Sequence, residues 1–182
     1  MNLTETLAAF AAGTTYDSLP AQAVTECKRD ILDAIGCALA AKDQPKGNAG
    51  IACGLGIGGT QGPATVIGDG RRSSVFGASF ANGELINTLD ADTVLPPGHV
   101  SPYVLPGAFA TAEAQGRSGK DLIAAVAVAN EMSVRFGMDR RRRDETPEAG
   151  YARRKFLHPC YPQHPSGWVL DPGYRVTGGA DS

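Results

Sequence analysis

The sequence predicts an all-α, mainly helical protein with one small β-hairpin. Three observations carry this. Apolar residues recur at steps of three and four through most of the first 137 positions, the period of helices that each bury one face. Small residues abound and aromatics are sparse, with 23 Gly and a single Trp among 182 residues, which suits closely packed helices better than a β-sandwich. A convincing strand pattern with a turn signal behind it occurs once, at residues 64–68. The length is that of one ordinary domain. The periodicity places a helical unit over 1–138 and an irregular Arg/Pro/Gly-rich tail over 139–182.

The elements follow in order. Residues 3–12 read as a short amphipathic helix with Leu3, Leu7 and Phe10 on one face, ended by Gly13. Ser18-Leu19-Pro20 opens a long helix, with Pro at or near its first position. Val24, Cys27, Ile31, Leu32, Ile35 and Leu39 mark its expected apolar face, and Gly36 marks close helix–helix approach. Residues 42–47 read as a turn, and the glycine-rich stretch 48–63 as a flexible one. Gly54-Leu55-Gly56-Ile57-Gly58-Gly59 is not a dinucleotide loop, because no strand precedes it and Pro63 follows where a helix should run. No Gly-Lys-Ser/Thr occurs for a phosphate loop. Residues 64–68 form the strand, Asp69-Gly70 the hairpin turn, and Ser73 or Ser74 the N-cap of the next helix.

That helix carries Phe80, Ala81, Leu85, Ile86 and Leu89 at helical spacing and ends in Asp90-Ala91-Asp92-Thr93. Carboxylates at the C-terminal end oppose the helix dipole and need a reason. Nine residues beyond Asp90, His99 sits in a loop stiffened by Pro96, Pro97 and Pro102. A carboxylate and an imidazole facing one space are parts of proton-transfer chemistry. Equally, Asp at a helix end serves as a solvated turn residue, and a lone loop His is commonly just exposed. An Ala-rich helix follows over 102–115, with Val104, Leu105, Phe109 and Ala112 inward and Gly116 as its cap. The last helix opens at Ser118-Gly119-Lys120-Asp121, with Asp121 as the capping-box acid. It runs to Phe136, apolar nearly all round and so expected in the core, with Glu131 paired to Arg135 four residues on.

A formal net charge of −2 argues against nucleic acid or a membrane surface as partner. No stretch approaches the ~20 apolar residues of a membrane span, and the N-terminus lacks the basic region of a secretory signal. Cys27, Cys37, Cys53 and Cys160 form no Cys-x-x-Cys pair and read as reduced, buried residues of a cytoplasmic protein. A zinc site needs a tighter cluster. The run Arg140-Arg141-Arg142-Arg143 lies between acids and reads as a solvated segment.

Thr65-Val66-Ile67-Gly68, Ser79-Phe80-Ala81-Asn82-Gly83, Leu89-Asp90-Ala91-Asp92 and His99-Val100-Ser101, in that order and spacing, resemble the MmgE/PrpD family. Its members include 2-methylcitrate dehydratase, cis-aconitate decarboxylase and iminodisuccinate epimerase. Asp33-Ala34-Ile35-Gly36-Cys37 resembles the family's first long helix, and Gly119-Lys120-Asp121-Leu122 with Glu131 a later one. The resemblance implies the N-terminal half of the family's helical domain, with the α/β lid domain absent and a homodimer as the usual assembly. It implies lyase or isomerase chemistry without metal or cofactor on small di- or tricarboxylates: a proton leaves a carbon next to a carboxylate, followed by loss of water or carbon dioxide or by reprotonation. Asp90 and His99 correspond to catalytic positions, and Asp92, Thr93 and His158 to substrate-binding ones. Here His-Pro-Ser has become His99-Val100-Ser101, and the loop before it is one residue shorter. Family chains are far longer, so the resemblance also implies a truncated member that lacks the later active-site segments, its own activity left open, with 139 onward read out of frame. The other reading of the residues is a non-catalytic helical binding or dimerisation module.

Overall fold

A computed structural model of the chain describes residues 2–95 and 98–143. Six α-helices make the body: α1 (Leu3–Gly13), α2 (Ala21–Ala41), α3 (Pro45–Gly58), α4 (Val75–Asn87), α5 (Ser101–Ala114) and α6 (Gly119–Arg143). The described residues also hold a short 3-10 turn (Tyr16–Ser18) and two antiparallel pairs: β1 (Ala64–Thr65) with β2 (Arg72–Ser73), and β3 (Val94–Leu95) with β4 (Gly98–His99). The mainly helical fold with a small hairpin is thus as expected, and the β3–β4 pairing adds a second hairpin within the Pro/Gly loop.

Helix α4 is the centre. It packs along α3 on one side and α5 on the other, with α2 also against it. Ala78, Ala81, Leu85 and Ile86 on α4 are wholly buried, as is Leu105 on α5. Helix α6 closes the bundle through Ile123, Val126 and Ala127. The helix starts follow capping chemistry. The Ser74 hydroxyl accepts the Gly77 N–H at 3.1 Å. Ser118 and Asp121 exchange side-chain bonds with each other's backbone N–H, at 3.0 and 3.2 Å. The first hairpin is pinned by the buried Asn82 of α4, which accepts from Ile67 N–H at 2.8 Å and donates to the Thr65 carbonyl at 3.0 Å.

Several expectations are corrected. The glycine-rich stretch is mostly helix α3, and residues 45–47 belong to it rather than to a turn. Its glycines at 47, 50 and 54 are buried. A Cβ on Gly54 would lie 2.5 Å from the Gly77 carbonyl oxygen and 2.8 Å from the Ala81 Cβ. Only bare backbone lets α3 and α4 approach so closely. Helix α2 buries Ala23, Cys27, Asp30, Ala34, Ala38 and Ala41, whereas Leu32 and Leu39 of the expected apolar face are 71% and 48% exposed. Nothing stands within 4 Å of a Cβ on Gly36, so no close approach occurs there. Helix α1 buries no residue, and Leu3 is exposed.

Helix α6 is one-sided rather than apolar all round, since Phe136 is exposed. It is described as far as Arg143. Its Glu131 carboxylate does take the Arg135 guanidinium, at 2.6 Å. That guanidinium also lies over the Phe10 ring of α1, 5.3 Å from its centroid. Among the described cysteines, all free, only Cys27 is buried; Cys37 is half-buried and Cys53 exposed. Cys160, His158 and the rest of the tail beyond residue 143 lie outside the described residues.

Candidate functional site

The site is built where α4 stops. Thr88 caps the helix, and the Asp90 N–H closes a turn on the Asn87 carbonyl at 3.2 Å. Asp90 takes φ 54°, the left-handed region that Asp tolerates better than most residues. This reversal sends the chain back, so that Asp90 and Asp92 lie on either side of one imidazole. Strand β4 delivers that imidazole: Val94 pairs with His99 and Leu95 with Gly98. His99 Nδ1 lies 3.0 Å from Asp92 Oδ2, and Nε2 lies 3.2 Å from Asp90 Oδ1. The Asp92 side chain is wholly covered, whereas that of Asp90 is 80% exposed. The imidazole thus has a dry side and a wet side.

The expected site residues divide accordingly. Asp90, Asp92 and His99 come together. Thr93 turns to α2, where its hydroxyl donates to Asp33 Oδ2 at 3.2 Å. His158 lies outside the described residues. The half-buried Cys37 thiol is pushed up from its ordinary value, first by burial and then by the Asp33 and Asp92 carboxylates.

Residues that the sequence did not single out complete the arrangement. Asn87 Nδ2 donates to Asp92 Oδ1 at 3.3 Å. The Lys46 ammonium of α3 donates to Asn87 Oδ1 at 2.8 Å and reaches the Asn87 carbonyl at 3.5 Å. A cation therefore sits at the C-terminal end of α4, where the dipole favours it, and offsets the acids gathered there. Behind the site, the start of α5 is tied down by a buried polar cluster. Ser101 Oγ donates to Asp30 Oδ1 at 2.6 Å, and Asn130 Nδ2 donates to Asp30 Oδ2 at 3.0 Å. Ser101 stands two residues after His99, so α2, α5 and α6 jointly fix where β4 ends. No spacing signal points to Lys46, Asp30 or Asn130, because their pairs are 41 to 100 residues apart in sequence.

Among the described residues no group of three or more His, Cys, Asp or Glu is placed to hold a metal ion. No helix among them is long and apolar enough to cross a membrane. What the arrangement can do is move a proton. An imidazole backed by a buried carboxylate and faced by an exposed one has one nitrogen held on the covered side and the other paired with a carboxylate that solvent reaches.

A helical bundle that presents a histidine between two carboxylates at the end of its central helix defines a class of candidate proton-transfer proteins. The sequence model of the MmgE/PrpD N-terminal domain matches residues 5–149. The chain belongs to the MmgE/PrpD family, through its N-terminal domain. Comparison with curated proteins and with solved structures gives no match.

Proposed function

We propose that the chain belongs to a carboxylic-acid lyase or isomerase of the 2-methylcitrate dehydratase kind, acting in the cytoplasm on a small di- or tricarboxylate without metal or cofactor. The observation that carries the reading is His99 held at 3.0 Å by the covered Asp92 and at 3.2 Å by the exposed Asp90. In the dehydration, His99 Nε2 takes the proton from the carbon next to a substrate carboxylate. The C–H electron pair becomes the new double bond. The hydroxyl on the neighbouring carbon leaves as water with a proton returned from the His99–Asp90 pair. Asp92 acts through His99, holding the imidazole that must become cationic midway. Thr93 and His158 remain candidates for the substrate side on the family resemblance alone.

The test is turnover of 2-methylcitrate, followed by the absorbance of the conjugated alkene product. His99→Ala and Asp90→Asn should abolish it with helicity unchanged by circular dichroism. Full turnover in either variant would remove that residue from the mechanism. Binding is tested separately by thermal shift, since a ligand at 100 times its dissociation constant adds about 2.7 kcal/mol to stability.

One set of observations favours a second reading, a helical dimerisation module. Leu32 at 71%, Phe76 at 67% and Tyr103 at 78% are large apolar side chains exposed on three helices. Family resemblance to homodimers points the same way. Sedimentation equilibrium showing a defined dimer, with no thermal shift from any tricarboxylate, would favour the module over the enzyme.

A further inference from the structure

We propose that Asp30 and Asn130, buried behind the site, are positioning residues for His99 that act through Ser101 on the backbone carrying the imidazole. The inference rests on His99 being the working group proposed above, and concerns what holds it in place. The β3–β4 ladder has only two residue pairs, and His99 is the last residue of β4. A two-stranded pairing that short is marginal by itself. The place of His99 therefore depends on what anchors the chain just beyond it. Val100 is buried and clusters with Val134 of α6. Ser101, the first residue of α5, is buried too, and its hydroxyl donates to Asp30 Oδ1 of α2 at 2.6 Å. Asn130 Nδ2 of α6 donates to the other oxygen of that carboxyl, Oδ2, at 3.0 Å. One side chain thus ties three helices together at a point two residues from the imidazole.

The chemistry of this anchor suits position better than strength. Asp30, Ser101 and Asn130 are all buried, so each gives up its hydration. With the Asn130 NH2 turned to Asp30, the Asn130 Oδ1 is buried with no hydrogen-bond partner among the described residues. A dry, unmatched acceptor is unfavourable, whereas apolar groups of the same shape at all three positions would hold the helices together about as well. What apolar packing lacks is direction. A hydrogen bond confines its donor and acceptor to a narrow range of distance and angle. The three polar side chains accordingly give the start of α5 one register against α2 and α6, and His99 inherits that register through Val100. Removing one member alone strands the others, so loss of position and loss of stability coincide in single variants. Replacing all three separates the two effects.

The test sets melting temperature against the order of His99 in the folded chain. Order is read from nitrogen and carbon relaxation at the His99 N–H and ring C–H, with relaxation dispersion for slower motion and His99→Gln to assign the signals. The wild-type His99 N–H should be rigid, with a squared order parameter of about 0.85. In Ser101→Ala it should fall below about 0.6 or gain microsecond-to-millisecond exchange that the wild type lacks. The triple variant Asp30→Leu/Ser101→Ala/Asn130→Leu should show the same mobility while melting no lower than the wild type. Asp30→Asn keeps an acceptor for the Ser101 hydroxyl, and its NH2 can be taken by Asn130 Oδ1 once that amide turns over, so it should leave His99 rigid. A His99 as rigid in Ser101→Ala or in the folded triple variant as in the wild type would overturn the proposal, and so would a His99 already mobile in the wild type. Ser101→Ala, the smallest change, decides the matter if the triple variant does not fold. The readout needs no substrate, so failure of the lyase reading, seen as absent turnover and absent ligand shift, is distinguishable from failure of this one.

Discussion

Two glycines in the same helix, two residues apart, should respond to one substitution with opposite signs. Gly54 and Gly56 both lie in α3. Replacing a helical glycine by alanine ordinarily stabilises by about 0.5–1 kcal/mol, because the unfolded chain loses freedom. Nothing stands within 4 Å of a Cβ on Gly56, so Gly56→Ala should show that full gain. A Cβ on Gly54 meets the Gly77 carbonyl oxygen at 2.5 Å and the Ala81 Cβ at 2.8 Å. Neither is the end of a flexible side chain, so two helix backbones must separate. Overpacking of this kind costs about 1–3 kcal/mol, and the rigid neighbours place Gly54→Ala in the upper part of that range. Less the helical gain, a net loss of about 1–2 kcal/mol remains. The two variants should therefore differ by about 1.5–3 kcal/mol, with a melting difference of roughly 2–4 °C per kcal/mol for a chain of this size. Urea unfolding followed by circular dichroism measures it. Equal stability of the two variants, or Gly54→Ala the more stable, would refute the claim that backbone contact sets the α3–α4 distance.

Further outcomes are expected. Ser101→Ala should cost about 1.5–3 kcal/mol, because it strips a 2.6 Å hydrogen bond from the buried Asp30 carboxyl; a loss below 0.5 kcal/mol, read against this scale, would show that the cluster does not tie α5 to α2. Among the described cysteines, thiol reagents should modify the exposed Cys53 first and leave Cys27 untouched until unfolding, since burial, then the Asp30 and Glu26 carboxylates, push the Cys27 thiol up to about 12. The same shift has a sign for stability: between the ordinary thiol value of 9.0 and about 12 the unfolded chain releases a proton that the folded one retains. Stability should therefore fall as pH rises through that window, and Cys27→Ala should flatten the slope. At the acid side, hydrogen bonds from the Ser118 backbone and hydroxyl hold Asp121 below the usual carboxylate range. Its contribution to the start of α6 is present at neutral pH and lost on acidification through its lowered folded value, which amide exchange at residues 119–122 would report.

Much of this architecture was legible in the sequence, and the failures have physical causes. Helices α2, α4, α5 and α6 announce themselves by period, and Ser74, Ser118 and Asp121 by capping chemistry. Helix α3 did not, because glycine argues against helix wherever packing is left out of account. Here the glycines recur at the spacing of one face and are there for contact. The same preference for closeness reversed the reading of α2: transfer energy favours burying Leu32 and Leu39, yet the bundle buries Ala34 and Ala38, which let helix axes approach. The Asp90–His99–Asp92 grouping was half legible, since the residues are close in sequence and of matching chemistry. Asn87 and Lys46 were not, because an amide and a lysine on separate helices carry no mark until a fold brings them within 2.8 Å. The Asp30–Ser101–Asn130 cluster likewise joins positions 71 and 100 residues apart.

The pairing of β3 with β4 makes the imidazole's direction a matter of parity. Val94 faces His99 across the ladder, and Leu95 faces Gly98. Side chains along a strand alternate between two sides, so moving the pairing by one place turns every one of them over. Adding or removing a single residue between Val94 and His99 would swing the ring to the opposite side of the ribbon, away from both carboxylates, while every helix kept its place. Adding or removing two would bring it round again, displaced by one step along the strand. Diversification of such a loop in length therefore proceeds most safely in pairs, and an odd change calls for a bulge to restore the handed order of the ribbon.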